Sequence, residues 1–179
     1  MHAEVIWGEE SMNPSEDDIR GFVKLYQRNE SSSVHVTVSI KGLPDGFHGF
    51  HVHEKKIEDF SDDTEDCCNK LGGHFNVGEK WSPENQCGTR HGKNGHNGDL
   101  CNNIYSFEGI CSHSFADDKI SLFERDERCV VGRSIVIHKD PDDMGLPIYN
   151  DEKKDIDKFI TGNAGKRIAC GNIEIYKDD

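Results

Sequence analysis

The segment Val34–Ile40, VHVTVSI, alternates apolar side chains with polar ones. Successive side chains of a β-strand point to opposite faces, so this pattern predicts a strand with one buried face and one exposed face. Seven further short segments have apolar runs bounded by turn residues: Ala3–Trp7, Ile19–Tyr26, Phe47–His53, Ile104–Phe107, Ile110–Phe115, Arg133–His138 and Gly171–Tyr176. No segment has the long 3.6-residue periodicity of an amphipathic helix. Eight short strands predict an all-β fold, either an antiparallel sandwich or a barrel.

Two long segments between the predicted strands do not have strand patterns of their own. Residues 54–103 are rich in Gly, Asn, Asp and Cys, and residues 139–166 are charged and contain Gly and Pro. Long loops inside a compact domain are usually functional or disordered. Histidines lie within or beside both segments, which favours ordered loops that form a site. No linker or internal repeat divides the sequence, so we expect a single domain over residues 1–179.

Charge and composition exclude several classes of partner. Lys and Arg number 21 against 34 Asp and Glu, which gives a formal net charge of −13. Nucleic acids and anionic membranes attract basic surfaces, so neither is expected as a partner. No segment has the roughly twenty apolar residues that span a bilayer. The first residues lack the features of a secretory signal, which favours a cytoplasmic location.

The first candidate metal site is the His-x-His pattern in Phe47–His53. On a strand, His51 and His53 project from one face, with Gly49 leaving space beside them. Phe50 and Val52 then point to the opposite face, into the core. Two imidazoles on one face form half of a copper or zinc site. The alternative is a pair of solvated histidines on an outer face, and the pattern alone does not decide between the two.

A second set of candidate ligands follows in the first long loop. Three histidines and one aspartate there form a set suited to tetrahedral zinc: His74, His91, His96 and Asp99. The alternative is a polar loop without a metal. A further histidine, His138, ends the apolar run of Arg133–His138, where it is either a ligand or a capping or packing residue.

Five motifs resemble the copper–zinc superoxide dismutases. They occur in the family's order between about Gly42 and Ile175, and read GFHGFHVHE, GGHFN, HNGDL, GRSIVIHK and GNAGKRIACG. The resemblance implies an eight-stranded Greek-key β-barrel, with a zinc loop at about 54–103 and an electrostatic loop at about 139–166. It also implies copper and zinc cofactors, a homodimer, and dismutation of superoxide to dioxygen and hydrogen peroxide.

The resemblance assigns a role to each residue that matches a family motif. The copper ligands it implies are His51, His53, His74 and His138. The zinc ligands it implies are His74, His91, His96 and Asp99, so that His74 bridges the two metals and exchanges a proton during turnover. Arg167 matches the arginine that meets superoxide, and Asp142 matches the aspartate that links a copper histidine to a zinc histidine. Cys68 and Cys170 match the family's disulfide.

The sequence departs from the family pattern in its loops. Residues 77–90 lengthen the interval between His74 and His91, and Ile160 occupies a position where the family often has lysine. We hypothesise that nearby Lys158 supplies part of the steering charge. A non-catalytic relative that binds or delivers copper is the alternative function.

The remaining five of the seven cysteines lie outside the disulfide that the resemblance implies. Cys67 is adjacent to Cys68 and is expected to stay outside the disulfide. Cys87 and Cys101 flank the zinc segment, either as a second disulfide or as two thiols. Cys111 is expected to pack in the core, and Cys129 matches a position that is usually an unpaired thiol.

Overall fold

Short β-strands form most of the secondary structure. The computed structural model describes residues 1–8, 11–16, 18–60, 63–78, 95–144 and 161–176. The strands are β1 (His2–Trp7), β2 (Arg20–Tyr26), β3 (Val34–Lys41), β4 (Gly46–His53), β5 (Asn103–Ser106), β6 (Ile110–Asp117), β7 (Ser134–His138), β8 (Arg167–Asn172) and β9 (Glu174–Ile175). The helices are α1 (Thr64–Asn69) and one 3₁₀ turn (Asn97–Asp99). Within the described ranges, neither is long and apolar enough to cross a membrane.

Hydrogen bonds assemble the strands into two sheets. One sheet has the order β6-β3-β2-β1-β9, and the other has the order β5-β4-β7-β8. Every paired strand runs antiparallel to its neighbour. The chain crosses between the sheets after β3, β5, β6 and β8, as Greek-key arrangements do. The predicted all-β antiparallel fold is therefore confirmed.

The last predicted strand, Gly171–Tyr176, is two strands in the structure. Asn172 pairs with Ser134 of β7, whereas Glu174 pairs with Glu4 of β1 in the other sheet. Buried Ile173 lies between them, where the chain changes sheets. The described residues thus form nine strands rather than eight, and β8 begins earlier, at Arg167. The local apolar pattern does not encode which sheet a segment joins, because the pairing partners are distant in sequence.

Helix α1 was not predicted from the sequence, which indicated only a loop in this region. Its six residues are too few to show a helical period. The side chain of Asp63 accepts a hydrogen bond from the Asp66 backbone N–H and caps the helix start. The buried residues of α1 are Cys67 and Cys68.

Strand β7 is buried on both faces, which determines where the loops lie. Ile135 and Ile137 face the main core between the sheets, and Val136 faces a second apolar cluster on the outer side. We name this second group the sulfur cluster; it consists of Ile57, Cys67, Cys68, Leu71, Val136 and Cys170. Helix α1 and its flanking loop therefore cover the outer face of the four-stranded sheet at β7 and β8.

Gly21 in β2 provides a test of the strand packing. Its φ is +139°, and a Cβ there would collide with the Ser39 carbonyl oxygen of β3. Gly21→Ala should lower the free energy of unfolding by about 2–4 kcal/mol, because both the backbone conformation and the close approach disfavour a side chain. In the control Gly73→Ala, no described atom lies within 4 Å of the added Cβ, so we expect a change within about 0.5 kcal/mol. Denaturant unfolding measures both, and equal stabilities would contradict the predicted packing.

Candidate metal centre

Strand β4 positions two histidines on the outer face of the four-stranded sheet. Phe50 and Val52 are fully buried in the main core, as the alternation predicts. His51 and His53 project to the other side, where they are 0% and 1% exposed. The alternative of two solvated histidines is therefore wrong. Gly49 leaves the space that the sequence indicated, since a Cβ there would lie 2.6 Å from the Cβ of Ala164.

Four buried histidines meet on this face. His138 ends β7, next to β4, and His74 forms an isolated β-bridge with His53. One ligand atom from each of His51, His53, His74 and His138 lies within 4.8 Å of the others. The sheet and the first long loop thus bring together residues that are up to 87 positions apart in the sequence.

The tautomers of two of these histidines follow from their backbone contacts. His53 Nδ1 lies 3.0 Å from the Gly72 carbonyl oxygen, and His138 Nδ1 lies 3.1 Å from that of Gly165. A carbonyl oxygen only accepts, so each Nδ1 carries a proton and each neutral ring has a lone pair on Nε2. The two Nε2 atoms lie 3.4 Å apart. Two facing lone pairs in a buried site favour a cation between them.

The other two histidines each have one unpartnered ring nitrogen. His51 Nε2 lies 2.6 Å from Asp142 Oδ2, and His74 Nδ1 lies 2.7 Å from Asp99 Oδ1. Their remaining nitrogens, His51 Nδ1 and His74 Nε2, are buried and have no hydrogen-bond partner in the described structure. Leaving a buried polar atom unpaired is costly, and ligation of a metal ion would satisfy both nitrogens. The residues present therefore fit a copper-type site of four imidazoles.

The electrostatics of the cluster favour the neutral form of His53, His74 and His138, which is the form that binds metals. Burial, reinforced by the positive charges that Arg167 and the other imidazoles would place nearby, lowers the pKa of His53 well below its ordinary value. Burial is also the main cause that lowers the pKa of His138, and repulsion from a positive charge on His51 acts in the same direction. Burial lowers the pKa of His74 to about 4, although its hydrogen bond to Asp99 acts in the opposite direction.

A second buried cluster lies directly beside the first and shares His74 with it. His74, His96 and Asp99 offer ligand atoms within 4.8 Å of one another. Asp99 Oδ1 accepts from His74 Nδ1 at 2.7 Å and from His96 Nδ1 at 3.1 Å. Burial alone would raise the pKa of Asp99, but the hydrogen bonds from His74 and His96 outweigh it and hold the pKa well below its ordinary value. His91, the other predicted zinc ligand, lies outside the described residues.

The family model of copper/zinc superoxide dismutase (SODC) matches residues 19–173. The chain belongs to this family. A superoxide dismutase (Cu–Zn) 5 of Dictyostelium discoideum is 36% identical over 161 residues, 90% of this chain and 93% of the relative. A superoxide dismutase (Cu–Zn) of Onchocerca volvulus is 37% identical over 159 residues, 89% and 90% of the two chains.

Two further relatives extend the comparison. An extracellular superoxide dismutase (Cu–Zn) of Drosophila melanogaster is 36% identical over 159 residues, 88% of this chain and 76% of the relative. The crystal structure of the clock protein EA4 has a TM-score of 0.74 and 34% identity, and the match covers 98% of this chain and 94% of that one. The two buried clusters are consistent with the copper and zinc of this superoxide dismutase family.

Arg167 lies against the same loop as the histidines. Its Nη1 donates to the Cys68 carbonyl at 2.7 Å, and its Nη2 donates to the Gly72 carbonyl at 2.7 Å. The Gly72 oxygen therefore serves both Arg167 and His53 Nδ1. Burial lowers the pKa of Arg167 to about 10, so the guanidinium stays charged at neutral pH. Cys68 and Cys170 form a disulfide between α1 and β8.

Further described histidines lie outside the two clusters. Both ring nitrogens of buried His48 contact carbonyl oxygens: Nδ1 lies 2.9 Å from the His138 oxygen, and Nε2 lies 2.8 Å from the Pro44 oxygen. No ring nitrogen of His48 is then left for a metal. His35 and His113 are exposed on β3 and β6.

The cysteine and lysine predictions have mixed outcomes. Cys111 is fully buried, and burial raises the pKa of its thiol to about 11, which confirms packing as its role. Cys129 is half-buried and outside any disulfide. Cys101 is also outside any disulfide and donates to the Asn103 carbonyl at 3.3 Å. Cys87 and Lys158 lie outside the described residues.

Sequence reasoning missed several groups that orient the histidines. The carbonyls of Gly72 and Gly165 leave no signal in a side-chain pattern. Asn103 holds Asp142 from both sides, because its Nδ2 donates to the Asp142 carbonyl at 2.9 Å and its Oδ1 accepts from the Asp142 N–H at 2.7 Å. Asn102 Nδ2 also lies 3.3 Å from Asp142 Oδ2. In the sequence, these asparagines end a Gly- and Asn-rich segment, where nothing distinguishes them from turn residues.

Asp142→Asn tests how the buried carboxylate orients His51. We expect Cu(II) affinity to fall by about 10- to 100-fold, because the ring loses the charged acceptor that fixes its orientation. Competition with a copper chelator measures the affinity. Asp118→Asn, an exposed change of the same kind, should leave the affinity unchanged. An unaltered Asp142→Asn variant would show that other contacts orient His51.

Proposed function

We propose that the chain catalyses dismutation of superoxide to dioxygen and hydrogen peroxide. The observation that carries the proposal is the buried cluster of four histidines, whose unpaired nitrogens converge and which shares His74 with a second cluster. Membership of the copper/zinc superoxide dismutase family supports the same reaction.

The proposed ligand sets follow the two clusters. His51, His53, His74 and His138 would hold copper, and His74, His91, His96 and Asp99 would hold zinc. Copper, when bound, supplies one-electron redox chemistry between its Cu(II) and Cu(I) states, which is what oxidising one superoxide and reducing another requires. Asp142 would keep His51 oriented for this role, since their side chains lie 2.6 Å apart.

His74 is the proposed proton carrier. The reduction of superoxide to hydrogen peroxide consumes two protons, so a group beside the reacting oxygen must supply them. The Nδ1 atom of His74 is held by Asp99, whereas Nε2 points into the four-histidine cluster without a partner among the described residues. The Nε2 atom is therefore where His74 would take up a proton and pass it on.

Arg167 is the proposed binding group for the anion. Two carbonyl oxygens fix its guanidinium beside His53, so its charge is oriented before superoxide arrives. Preorganised charge of this kind stabilises an anion without reorganisation. The net charge of −13 means that attraction must be local, and Arg167 supplies a local positive charge at the cluster. Lys158 remains a second predicted steering charge.

The alternative function is copper binding or delivery without turnover. Both functions require the same histidines to bind copper, and they differ in whether superoxide is consumed catalytically. An assay of the protein reconstituted with copper and zinc separates them.

Three further predictions are a single domain over residues 1–179, a homodimer and a cytoplasmic location. Analytical ultracentrifugation measures the oligomeric state, and fractionation of cells measures the location.

His138→Ala tests the copper set. The variant removes one of four converging nitrogens, so we expect superoxide consumption by the metal-reconstituted protein to fall by more than about 100-fold. The control His35→Ala removes an exposed histidine of β3 and should retain full activity. Full activity of His138→Ala, or of the metal-free protein, would overturn the proposed function.

Arg167→Glu tests the anion-binding role. Replacing the fixed cation with an anion should slow turnover by about 100- to 1,000-fold and weaken its dependence on ionic strength. Arg20→Glu makes the same change in net charge at an exposed position and should leave the rate near that of the unmodified protein. Stopped-flow kinetics at several salt concentrations measures both effects. Equal rates for the two variants would assign steering to another residue.

A further inference from the structure

The buried side of α1 consists of two consecutive cysteines. Cys67 is 3% exposed and Cys68 is fully buried. Cys68 forms the disulfide with Cys170, and Cys67 is outside it. The Cys67 thiol donates to the Asp59 carbonyl at 3.5 Å. None of these three sulfurs belongs to either histidine cluster.

The thiol and the disulfide lie in the same buried apolar cluster. Cys67, Cys68 and Cys170 are all members of the sulfur cluster, with Val136 beneath them on β7. This cluster is separate from the main core between the sheets. Helix α1 can therefore change its position over β8 without repacking the main core.

The helix geometry places both cysteines within reach of Cys170. Consecutive side chains on a helix are about 100° apart, so a buried face centred between Cys67 and Cys68 presents both to β8. The Cα atoms of Cys68 and Cys170 are 5.7 Å apart, and neighbouring Cα atoms in a chain are about 3.8 Å apart. A shift of α1 by about 3 Å at most would bring Cys67 into the range of Cα separations that disulfides span.

We propose that Cys67 is a second disulfide partner of Cys170, reached by exchange within the chain. The Cys67 thiolate attacks the Cys170 sulfur, the Cys67–Cys170 bond forms, and the Cys68–Cys170 bond breaks. The proton lost by Cys67 is taken up by the departing Cys68 thiolate. One disulfide and one thiol are present before and after, so the exchange requires no oxidant or reductant.

The exchange has a structural consequence at Arg167. In the Cys68–Cys170 form, the Cys68 carbonyl accepts from Arg167 Nη1 at 2.7 Å. Rotating α1 to direct Cys67 at Cys170 moves this carbonyl away from the guanidinium. Arg167 then keeps only its contact with the Gly72 carbonyl, which His53 shares. Neither cysteine is part of the proposed chemistry, so the exchange can be tested independently of superoxide consumption.

The first experiment maps disulfides in the copper- and zinc-loaded Cys68→Ser variant. The protein is incubated in air-saturated buffer at pH 8, where dioxygen oxidises two thiols to a disulfide and is reduced to hydrogen peroxide. Thiols are then alkylated, and peptides are analysed by tandem mass spectrometry. We expect a Cys67–Cys170 link, so that Cys170 is protected from alkylation. Alkylated Cys170, or Cys170 linked to another cysteine such as Cys129, overturns the proposal.

Two matched variants show how far Cys170 is alkylated when the Cys68–Cys170 disulfide is present and when neither partner cysteine is available. Cys67→Ser should retain the Cys68–Cys170 link, and the double variant Cys67→Ser/Cys68→Ser should leave Cys170 fully alkylated. Protection of Cys170 in the double variant would show that the link in Cys68→Ser does not depend on Cys67, and would also overturn the proposal.

The second experiment uses the unmodified holoprotein and does not depend on the folding of any variant. A small amount of reduced glutathione at pH 8 catalyses exchange, acid stops it, and alkylation marks the remaining thiol. Because Cys67 and Cys68 are adjacent, fragment ions decide which of the two carries the alkyl group. We expect a fraction of molecules with alkylated Cys68 and protected Cys170. If only Cys67 is alkylated at equilibrium, the exchange does not occur, whatever the Cys68→Ser variant shows.

Discussion

The four-stranded sheet is buried on both faces along β7 and residues 48–53 of β4, and the candidate site depends on this double burial. Its inner face is apolar and packs in the main core, with Phe50 and Ile137 as members. Its outer face carries imidazoles that are shielded from water. A buried imidazole needs a partner for each ring nitrogen. The loops provide half of those partners, and the nitrogens left over converge on one point.

The hydrogen bonds that satisfy the histidines also hold the loops in place. Gly72 belongs to the loop after α1, and its carbonyl accepts from both His53 and Arg167. Arg167 in turn contacts the carbonyl of Cys68, which the disulfide ties to β8. The disulfide, the arginine and a copper-type histidine are therefore linked through two backbone carbonyls. A displacement of α1 would alter the hydrogen bonds of Arg167, the proposed anion-binding group, before it disturbed the packing between the sheets.

Much of the candidate site could be predicted from the sequence. The His-x-His alternation on β4 predicted both the shared face of His51 and His53 and the inward direction of Phe50, because strand geometry is local. The resemblance to the family added His138 and Arg167, which no local pattern joins to β4. The structure places the described candidates in two clusters that share His74; their ligation of copper and zinc is a proposal.

The sequence by itself determined the strands, the buried faces and the residue types of the site, since these depend on periodicities of a few residues. Only the tertiary structure decided that the last apolar segment divides between two sheets and that a short helix packs over β8. It alone decided which ring nitrogen of His53 and of His138 is held outward, because the carbonyls of Gly72 and Gly165 that accept from them belong to the backbone. Backbone acceptors are the same for every residue type, so only the folded position of the chain reveals which one a buried imidazole meets.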